Sequence, residues 1–200
     1  MVKLHIIIAS TRPGRLGLPI GKWFHECAKR HGKFEVELVD LAEITLPFLD
    51  EPKHPRLMDY QHEHTKAWSK IVARANAYVF VTPEYNYGMA PALLNALDFV
   101  YQEWNYKPAG FVSYGGVSGG TRGVQMAKNI LSTLKVVPVM EGVFIPFVAK
   151  QIIDGEFDPD PRLEGSCTVM LDELLLWAET LRPLHTRIQD QILKTESSMP

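Results

Sequence analysis

The sequence predicts an α/β fold built on a doubly wound, five-stranded parallel sheet with strand order 2-1-3-4-5. Short apolar runs alternate along the chain with segments in which apolar residues recur at helical spacing. The short runs are almost continuously apolar, which is typical of parallel strands covered by helices on both faces. Because this strand–helix alternation repeats five times, right-handed crossovers around one sheet are expected.

The predicted elements follow in order along the chain. The strands are rich in β-branched and aromatic residues and cover residues 4–9, 36–41, 78–82, 110–113 and 136–140. Apolar stripes at helical spacing begin at Leu16, Trp68, Leu93, Ala127 and Met170. Pro138 lacks a backbone N–H, so the fifth strand is predicted to lie at an edge of the sheet.

Composition narrows the class of protein. With 200 residues, 46% of them hydrophobic, the chain is long enough for one domain with a full core, here predicted over residues 1–200 with a flexible tail at 196–200. Cys27 and Cys167 are the two cysteines and have no metal-site or disulfide-framework spacing. The net charge of −2 favours neither nucleic acid nor membrane as a partner. The first apolar run is too short for a signal peptide, so a cytoplasmic protein with a small-molecule partner is expected.

In an open parallel sheet, ligands bind at the carboxyl ends of the strands, and three loops there are unusual. After the first strand, residues 10–18 combine hydroxyl groups, two arginines and a helix start. Exposed N–H groups at a helix N-terminus, together with guanidinium groups, favour binding of a phosphate. The segment lacks the glycine pattern of a Walker A loop and that of a dinucleotide-binding loop.

Loops two and three suit a flat ligand. Residues 82–91 follow the third strand and contain two tyrosines, an amide, a carboxylate and two prolines, which suggests one wall of a site for a planar heterocycle. Residues 113–120 follow the fourth strand and contain four glycines, which allow a ligand to approach the backbone closely.

Two other chemistries were considered from the residues. Residues 116–120 match the G-x-S-x-G turn of serine hydrolases, with Ser118 as nucleophile, His185 as base and an acid from Asp154, Asp158 or Asp160. Against a hydrolase, His185 is expected to be a solvated residue on the last helix. The segment His62-Glu63-His64 lacks H-E-x-x-H spacing, so no metal site is predicted.

Taken together, the three loops resemble the NADPH-dependent FMN reductase family, which includes flavin, quinone, azo-dye and chromate reductases and has a flavodoxin-like fold. The resemblance runs from Lys3 to about Pro146 and rests on residues 10–15, 83–86, 107–108, 113–116 and 119–120. It implies that the FMN phosphate is held by Ser10, Arg12, Arg15, Gly17 and Leu18. It places the flavin ring between Pro83, Glu84, Tyr85, Asn86 and Tyr87 on one side and Ser113, Tyr114, Gly115 and Gly116 on the other.

The resemblance also implies a mechanism and an assembly. Flavin N5 carries the hydride from NADPH or NADH to small acceptors in ping-pong order, so no catalytic side chain is required. A homodimer or homotetramer is implied, and residues 93–101 with Trp104 offer apolar surface for an interface or for packing within the domain. Residues 147–162 are expected to shape substrate choice or an interface. A flavodoxin-type electron carrier is the alternative, although such carriers surround the flavin with acidic residues.

Overall fold

The computed structural model describes residues 1–197 and has the predicted architecture. The strands of the central sheet are β1 (Val2–Ile8), β2 (Phe34–Asp40), β3 (Ala77–Tyr85), β4 (Gly88–Met89), β5 (Pro108–Tyr114) and β6 (Val137–Ile145). The helices are α1 (Gly17–His31), α2 (Leu41–Ile44), α3 (Glu63–Ala73), α4 (Pro91–Asp98), α5 (Thr121–Thr133) and α6 (Arg162–Ser197). A two-residue hairpin, β7 (Ile152–Ile153) with β8 (Glu156–Phe157), and 3₁₀ turns at Pro55–Leu57, Gln102–Trp104 and Val148–Gln151 lie between them.

The order of the parallel strands is β2-β1-β3-β5-β6, which confirms the predicted order 2-1-3-4-5. The difference in numbering comes from β4, a short strand that pairs antiparallel with β3 and lies off this path. Pro138 lies in β6 at the edge of the sheet, as predicted. The topology therefore reverses direction between β1 and β3, where a flavodoxin-like fold presents its ligand site.

Helices cover both faces of the sheet, so each strand contributes side chains to two cores. On one face, α3, α4 and α5 pack through Trp68, Leu93 and Leu131. On the other face, α1 and α6 pack through residues such as Phe24 and Leu174. Because of this double coverage, β1, β3 and β5 are buried along almost their whole length and are mostly apolar.

Apolar residues around α4 belong to the domain's own core. Phe99 and Trp104 are fully buried, and the Trp104 indole donates a hydrogen bond to the carbonyl of Leu97 at 3.2 Å. For residues 93–101 and Trp104, the alternatives were an interface and packing within the domain. The structure shows that Phe99 and Trp104 pack within the domain.

The last helix corrects the expectation of a solvated His185. α6 continues through Ser197, and the rest of the tail predicted at residues 196–200 lies outside the described part of the chain. His185 on this helix is 6% exposed and not solvated, because α6 stays against the sheet beyond the apolar stripe read from the sequence. Among residues 1–197, no helix combines the length and apolarity needed to cross a membrane.

Candidate functional site

Three loops meet at the carboxyl edge of the sheet, as the sequence predicts. They are the first loop (residues 9–16), the second loop (residues 82–90) and the third loop (residues 115–120). Together they surround a cavity of about 230 Å³, here called the central crevice. Its lining residues come from all three loops and from the segment after β6; they are Arg12, Leu16, Pro83, Glu84, Tyr85, Tyr114, Gly115 and Val148.

At the base of the first loop, three of the predicted residues form one cluster. The Tyr114 hydroxyl donates a hydrogen bond to Ser10 Oγ at 3.0 Å, and both residues are buried. A Cβ atom on Gly17 would lie 2.2 Å from Ser10 Oγ, so α1 can begin at this point only with glycine. Burial raises the pKa of Tyr114, which keeps the phenol protonated as a donor. The cluster therefore fixes the start of α1 against the end of β5.

The start of α1 is suited to bind an anion. Leu16 precedes the helix without a side-chain cap, and the first turn contains no acidic residue. The N–H groups at this end are therefore free to face a ligand. Arg12 is exposed on the same loop and lines the central crevice. A helix N-terminus and a guanidinium group thus lie side by side, which is the arrangement expected of a phosphate site.

Arg15 has a different environment from Arg12. Its guanidinium group pairs with both carboxylate oxygens of Asp40 and also donates to the carbonyl of Ser10 at 2.8 Å. The hydrogen bond to Asp40 raises the pKa of Arg15. Asp40 in turn caps α2 by accepting from the N–H of Ala42 at 3.0 Å. The pair ties the first loop to the end of β2.

Sequence reasoning missed Asp40. The available signal was a carboxylate at the carboxyl end of a predicted strand, directly before a helical segment. Its partner lies on another loop, so the pairing depends on the order of β1 and β2 in the sheet.

The second loop is a tight hairpin between β3 and β4. Tyr85 pairs with Gly88, and the two residues between them, Asn86 and Tyr87, both have positive φ angles of 50° and 69°. Such a two-residue turn matches the right-handed twist of a hairpin. It presents the Tyr87 ring to solvent with 71% of the residue exposed, and the Arg122 guanidinium lies 3.8 Å from the ring centroid.

Glu84 joins the second loop to the third. Its carboxylate accepts hydrogen bonds from the Ser118 hydroxyl at 2.9 Å and from the Arg122 backbone N–H at 3.1 Å and Nε at 2.7 Å. Burial acts to raise the pKa of Glu84, but the hydrogen bonds from Arg122 and Ser118 outweigh it and the pKa is lowered. Glu84 is therefore an ionised cap on the start of α5. Sequence reasoning missed Arg122, whose stacking on Tyr87 depends on the type of hairpin turn.

Glycines shape the third loop. Gly119 and Gly120 have φ angles of 60° and 87°, and the Ser113 hydroxyl donates to the Gly119 carbonyl at 2.7 Å. A Cβ atom on Gly116 would meet no heavy atom within 4 Å, so the backbone there faces open space. The loop is tied to the segment after β6, because the Val148 N–H donates to the carbonyl of Gly115 at 3.1 Å.

The geometry rules out the hydrolase alternative. Ser118 donates its hydroxyl to Glu84, whereas His185 lines a separate cavity with Val2, Asn76 and Tyr106. Those three residues lie at or next to the amino ends of β1, β3 and β5, at the opposite edge of the sheet from the third loop. Ser118 and His185 are therefore separated by the length of a strand and cannot form a catalytic pair.

The groups around the central crevice fit FMN, the cofactor that the resemblance implies. The helix start and Arg12 supply donors for a phosphate, and Tyr85 and Tyr114 supply aromatic walls for a flat ring. Gly116, where an added Cβ would meet no heavy atom within 4 Å, leaves room for a ring to approach the backbone.

Comparison with known proteins gives the same result. The family model described as NADPH-dependent FMN reductase matches residues 2–150. The chain is 43% identical over 161 residues to an NAD(P)H-dependent FMN reductase of Schizosaccharomyces pombe, covering 78% of this chain and 79% of that protein. It is 30% identical over 162 residues to an NADPH azoreductase of a Bacillus species, covering 80% and 84%.

The fold also matches a solved structure. A flavoenzyme NAD(P)H:(acceptor) oxidoreductase from Paracoccus denitrificans superposes with a TM-score of 0.72 at 22% identity, over 90% of this chain and 98% of that chain. The match to the family model covers most of the chain and includes all three loops. The chain therefore belongs to the NADPH-dependent FMN reductase family.

Proposed function

We propose that the protein uses NADPH or NADH to reduce small acceptors such as quinones, flavins, azo compounds or metal oxyanions at the central crevice. The observation that carries the proposal is the convergence of three loops on one cavity that is lined by the guanidinium group of Arg12 and by the aromatic side chains of Tyr85 and Tyr114. FMN held there would supply the redox chemistry, accepting a hydride from the nicotinamide at N5 and passing electrons on to the acceptor.

The first loop would bind the phosphate of the cofactor. Arg12 would contribute a charge-assisted hydrogen bond, and the N–H groups of Gly17 and Leu18 would complete the cradle. Ser10 lies buried under the loop and Arg15 is paired with Asp40. For these two residues we propose a supporting role, in which they hold the loop in shape for the anion.

The second and third loops would hold the ring. Pro83, Tyr85 and Asn86 would border one side, while the backbone of Gly115 and Gly116 would approach the other. The sites for the nicotinamide and the acceptor would coincide, because both must reach the same part of the cofactor through one opening. Alternating occupancy follows, and with it ping-pong kinetics.

Arg122 and Tyr87 would form the outer rim of the opening. Arg122 is partly exposed, stacks on the Tyr87 ring and pairs with Glu84. This rim would contact the nicotinamide nucleotide as it enters, and Val148 would bring the segment after β6 into acceptor selection. The azo-compound class is supported by the Bacillus relative, whose name describes an azoreductase.

Assembly and location belong to the same proposal. Phe48 is 88% exposed and lines a cavity of about 530 Å³ together with Thr11, and Leu57 is exposed on the same connection between α2 and α3. We propose that this apolar surface is covered in a homodimer or homotetramer. The two cysteines are free thiols, which supports a reducing location such as the cytoplasm.

Steady-state turnover tests the proposed function. Purified protein supplied with FMN, NADPH and a benzoquinone is expected to oxidise many equivalents of NADPH, with parallel lines in double-reciprocal plots at several quinone concentrations. Protein that binds FMN but does not turn over NADPH would instead be a carrier of the flavodoxin type. Intersecting lines would contradict alternating occupancy of one site.

A further inference from the structure

A second cavity lies at the amino edge of the sheet, opposite the edge that holds the central crevice. Its volume is about 470 Å³, and it is here called the amino-edge cavity. Val2, Asn76 and Tyr106 line it at or near the starts of three strands, Lys33 lines it from the loop between α1 and β2, and α6 forms one wall. Small-molecule sites commonly have volumes of about 300–1,000 Å³. The two cavities share no lining residue, so a ligand held here is separate from FMN.

A buried histidine without a partner lines the amino-edge cavity. His185 is 6% exposed, and its ring has no hydrogen bond or ion pair among the groups that the structure describes. Burial, followed by the charge of Lys107, lowers the pKa of His185 to about 4. The ring is therefore neutral near pH 7 and offers one N–H donor and one acceptor nitrogen. Buried polar groups in folded proteins almost always have such partners, and a ligand in the cavity would supply one.

The charges around this cavity favour an anion. Lys33 and Arg182 line it as cations, and the acid that lines it is Glu179, which lies 3.8 Å from Arg182. The buried ammonium of Lys107 lies near enough to His185 for its charge to lower the pKa of that histidine. Its hydrogen bonds go to two backbone carbonyls and the Tyr78 hydroxyl, at 2.9–3.1 Å, and not to a carboxylate. A bound anion would therefore be attracted from both the surface and the interior.

We propose that the amino-edge cavity is a binding site for a small organic carboxylate. Lys33 and Arg182 are exposed and would meet the carboxylate at the opening, while His185 would hydrogen-bond to the ligand from the buried side. The site binds its ligand reversibly and takes no part in the proposed reduction.

The remaining lining residues favour an organic acid over an inorganic anion. Leu175 and Ala178 form an apolar part of the α6 wall, which the carbon skeleton of a ligand would cover. Asn76 Oδ1 accepts a hydrogen bond from the backbone N–H of Lys3 at 2.9 Å, which leaves its NH₂ group as a further donor. Phosphate or sulfate would use the donors but leave the apolar wall uncovered.

Titration of the protein with benzoate, in the presence of saturating FMN, tests the proposal. Calorimetry is expected to give one site with a Kd on the order of 0.1–1 mM, ordinary for a ligand of this size. In an NMR titration, the ring signals of His185 are expected to shift with the same Kd. The ring signals of His54, at an exposed position, are expected to stay in place.

Exposed variants give effects of opposite sign and leave the fold intact. Arg182→Gln and Lys33→Gln are each expected to weaken benzoate binding by about 3- to 10-fold, because one charge-assisted contact is lost. Glu179→Gln is expected to strengthen it by about 2- to 5-fold, because a negative charge beside the ligand disappears. Lys22→Gln removes an exposed cation from α1, away from the cavity, and is expected to leave the Kd unchanged.

Three results would overturn the proposal. The first is the absence of both heat and a His185 shift at about 10 mM benzoate, tenfold above the weakest expected Kd. The second is inorganic phosphate bound as tightly as benzoate at the same site. The third is binding that is weakened by Arg12→Ala but not by Arg182→Gln, which would place the probe in the central crevice. None of these measurements depends on turnover of NADPH, so their failure and that of the proposed function are distinguishable.

Discussion

Arg12 and Arg15 stand three positions apart in one loop and have different surroundings. Arg15 is bound to Asp40 and to the Ser10 carbonyl, whereas Arg12 lines the central crevice. The two side chains therefore carry different predictions, although the sequence pattern assigns both to the phosphate.

Arg12→Ala is expected to weaken FMN binding by roughly 10- to 150-fold, the equivalent of one charge-assisted hydrogen bond of about 1.5–3 kcal/mol. Turnover per bound FMN should change little, because the phosphate lies far from the reacting part of the cofactor. FMN fluorescence titration and turnover at saturating FMN measure the two effects. Lys22→Ala removes an exposed cation from α1 and serves as the control. Unchanged affinity in Arg12→Ala would remove Arg12 from the phosphate site.

Asp40→Asn is expected to act through Arg15. The substitution leaves a largely buried guanidinium without its partner and should lower the free energy of unfolding by about 2–4 kcal/mol. FMN affinity should fall as well, since the first loop loses its tie to β2. Urea unfolding and FMN titration measure both, and Asp40→Asn/Arg15→Met should regain part of the stability. A double variant no more stable than Asp40→Asn would contradict the assigned pairing.

At the scale of elements, Glu84 connects the end of β3 to the start of α5 by three hydrogen bonds. Glu84→Gln keeps the shape but loses the charge that favours Arg122 and the helix N-terminus. It should cost about 0.5–1.5 kcal/mol of stability and increase hydrogen exchange at the first turn of α5. Ser118→Ala is the matched control, which removes one of the three bonds and leaves the charge. Equal exchange in Glu84→Gln and wild type would contradict the capping role.

The strands could be predicted because a parallel sheet with helices on both faces needs mostly apolar runs, and β1 and β5 are mostly apolar. The three loops could be predicted because they directly follow such runs. Asp40 and Arg122 could not, since each acts on a residue from another loop and the contact exists only once the strands are ordered.

The position of α6 could be predicted only in part. Its apolar stripe from Met170 to Ala178 is clear, but the burial of His185 depends on how far the helix stays against the sheet. Because Arg182 and Pro183 interrupt the periodic pattern, the sequence does not show that the buried face of α6 extends to His185.

For the whole molecule, buried neutral histidines make stability depend on pH. Burial, followed by the charge of Lys107, lowers the pKa of His185 to about 4, and burial also lowers the pKa of His5 to about 4 despite Glu37. The unfolded chain binds these protons near pH 6.5, so it takes up more protons than the native state between pH 6.5 and 4. Stability should therefore fall as pH falls through that window, by up to about 1.4 kcal/mol per pH unit for each histidine.

Urea unfolding at several pH values measures this dependence. His185→Gln is expected to reduce the slope between pH 6.5 and 4, whatever its effect on absolute stability. His54→Gln, at an exposed position, is expected to leave the slope unchanged. An unaltered slope in His185→Gln would show that this side chain does not titrate with folding.

The central claim is that one crevice formed by three loops serves both halves of the reaction. Anaerobic stopped-flow mixing tests it most directly, using protein loaded with FMN and freed of excess cofactor. NADPH alone is expected to abolish the flavin absorbance near 450 nm, and a quinone added afterwards, with no NADPH left, is expected to restore it. A flavin that stays oxidised with NADPH, or that recovers its colour only while NADPH is still present, would contradict the account.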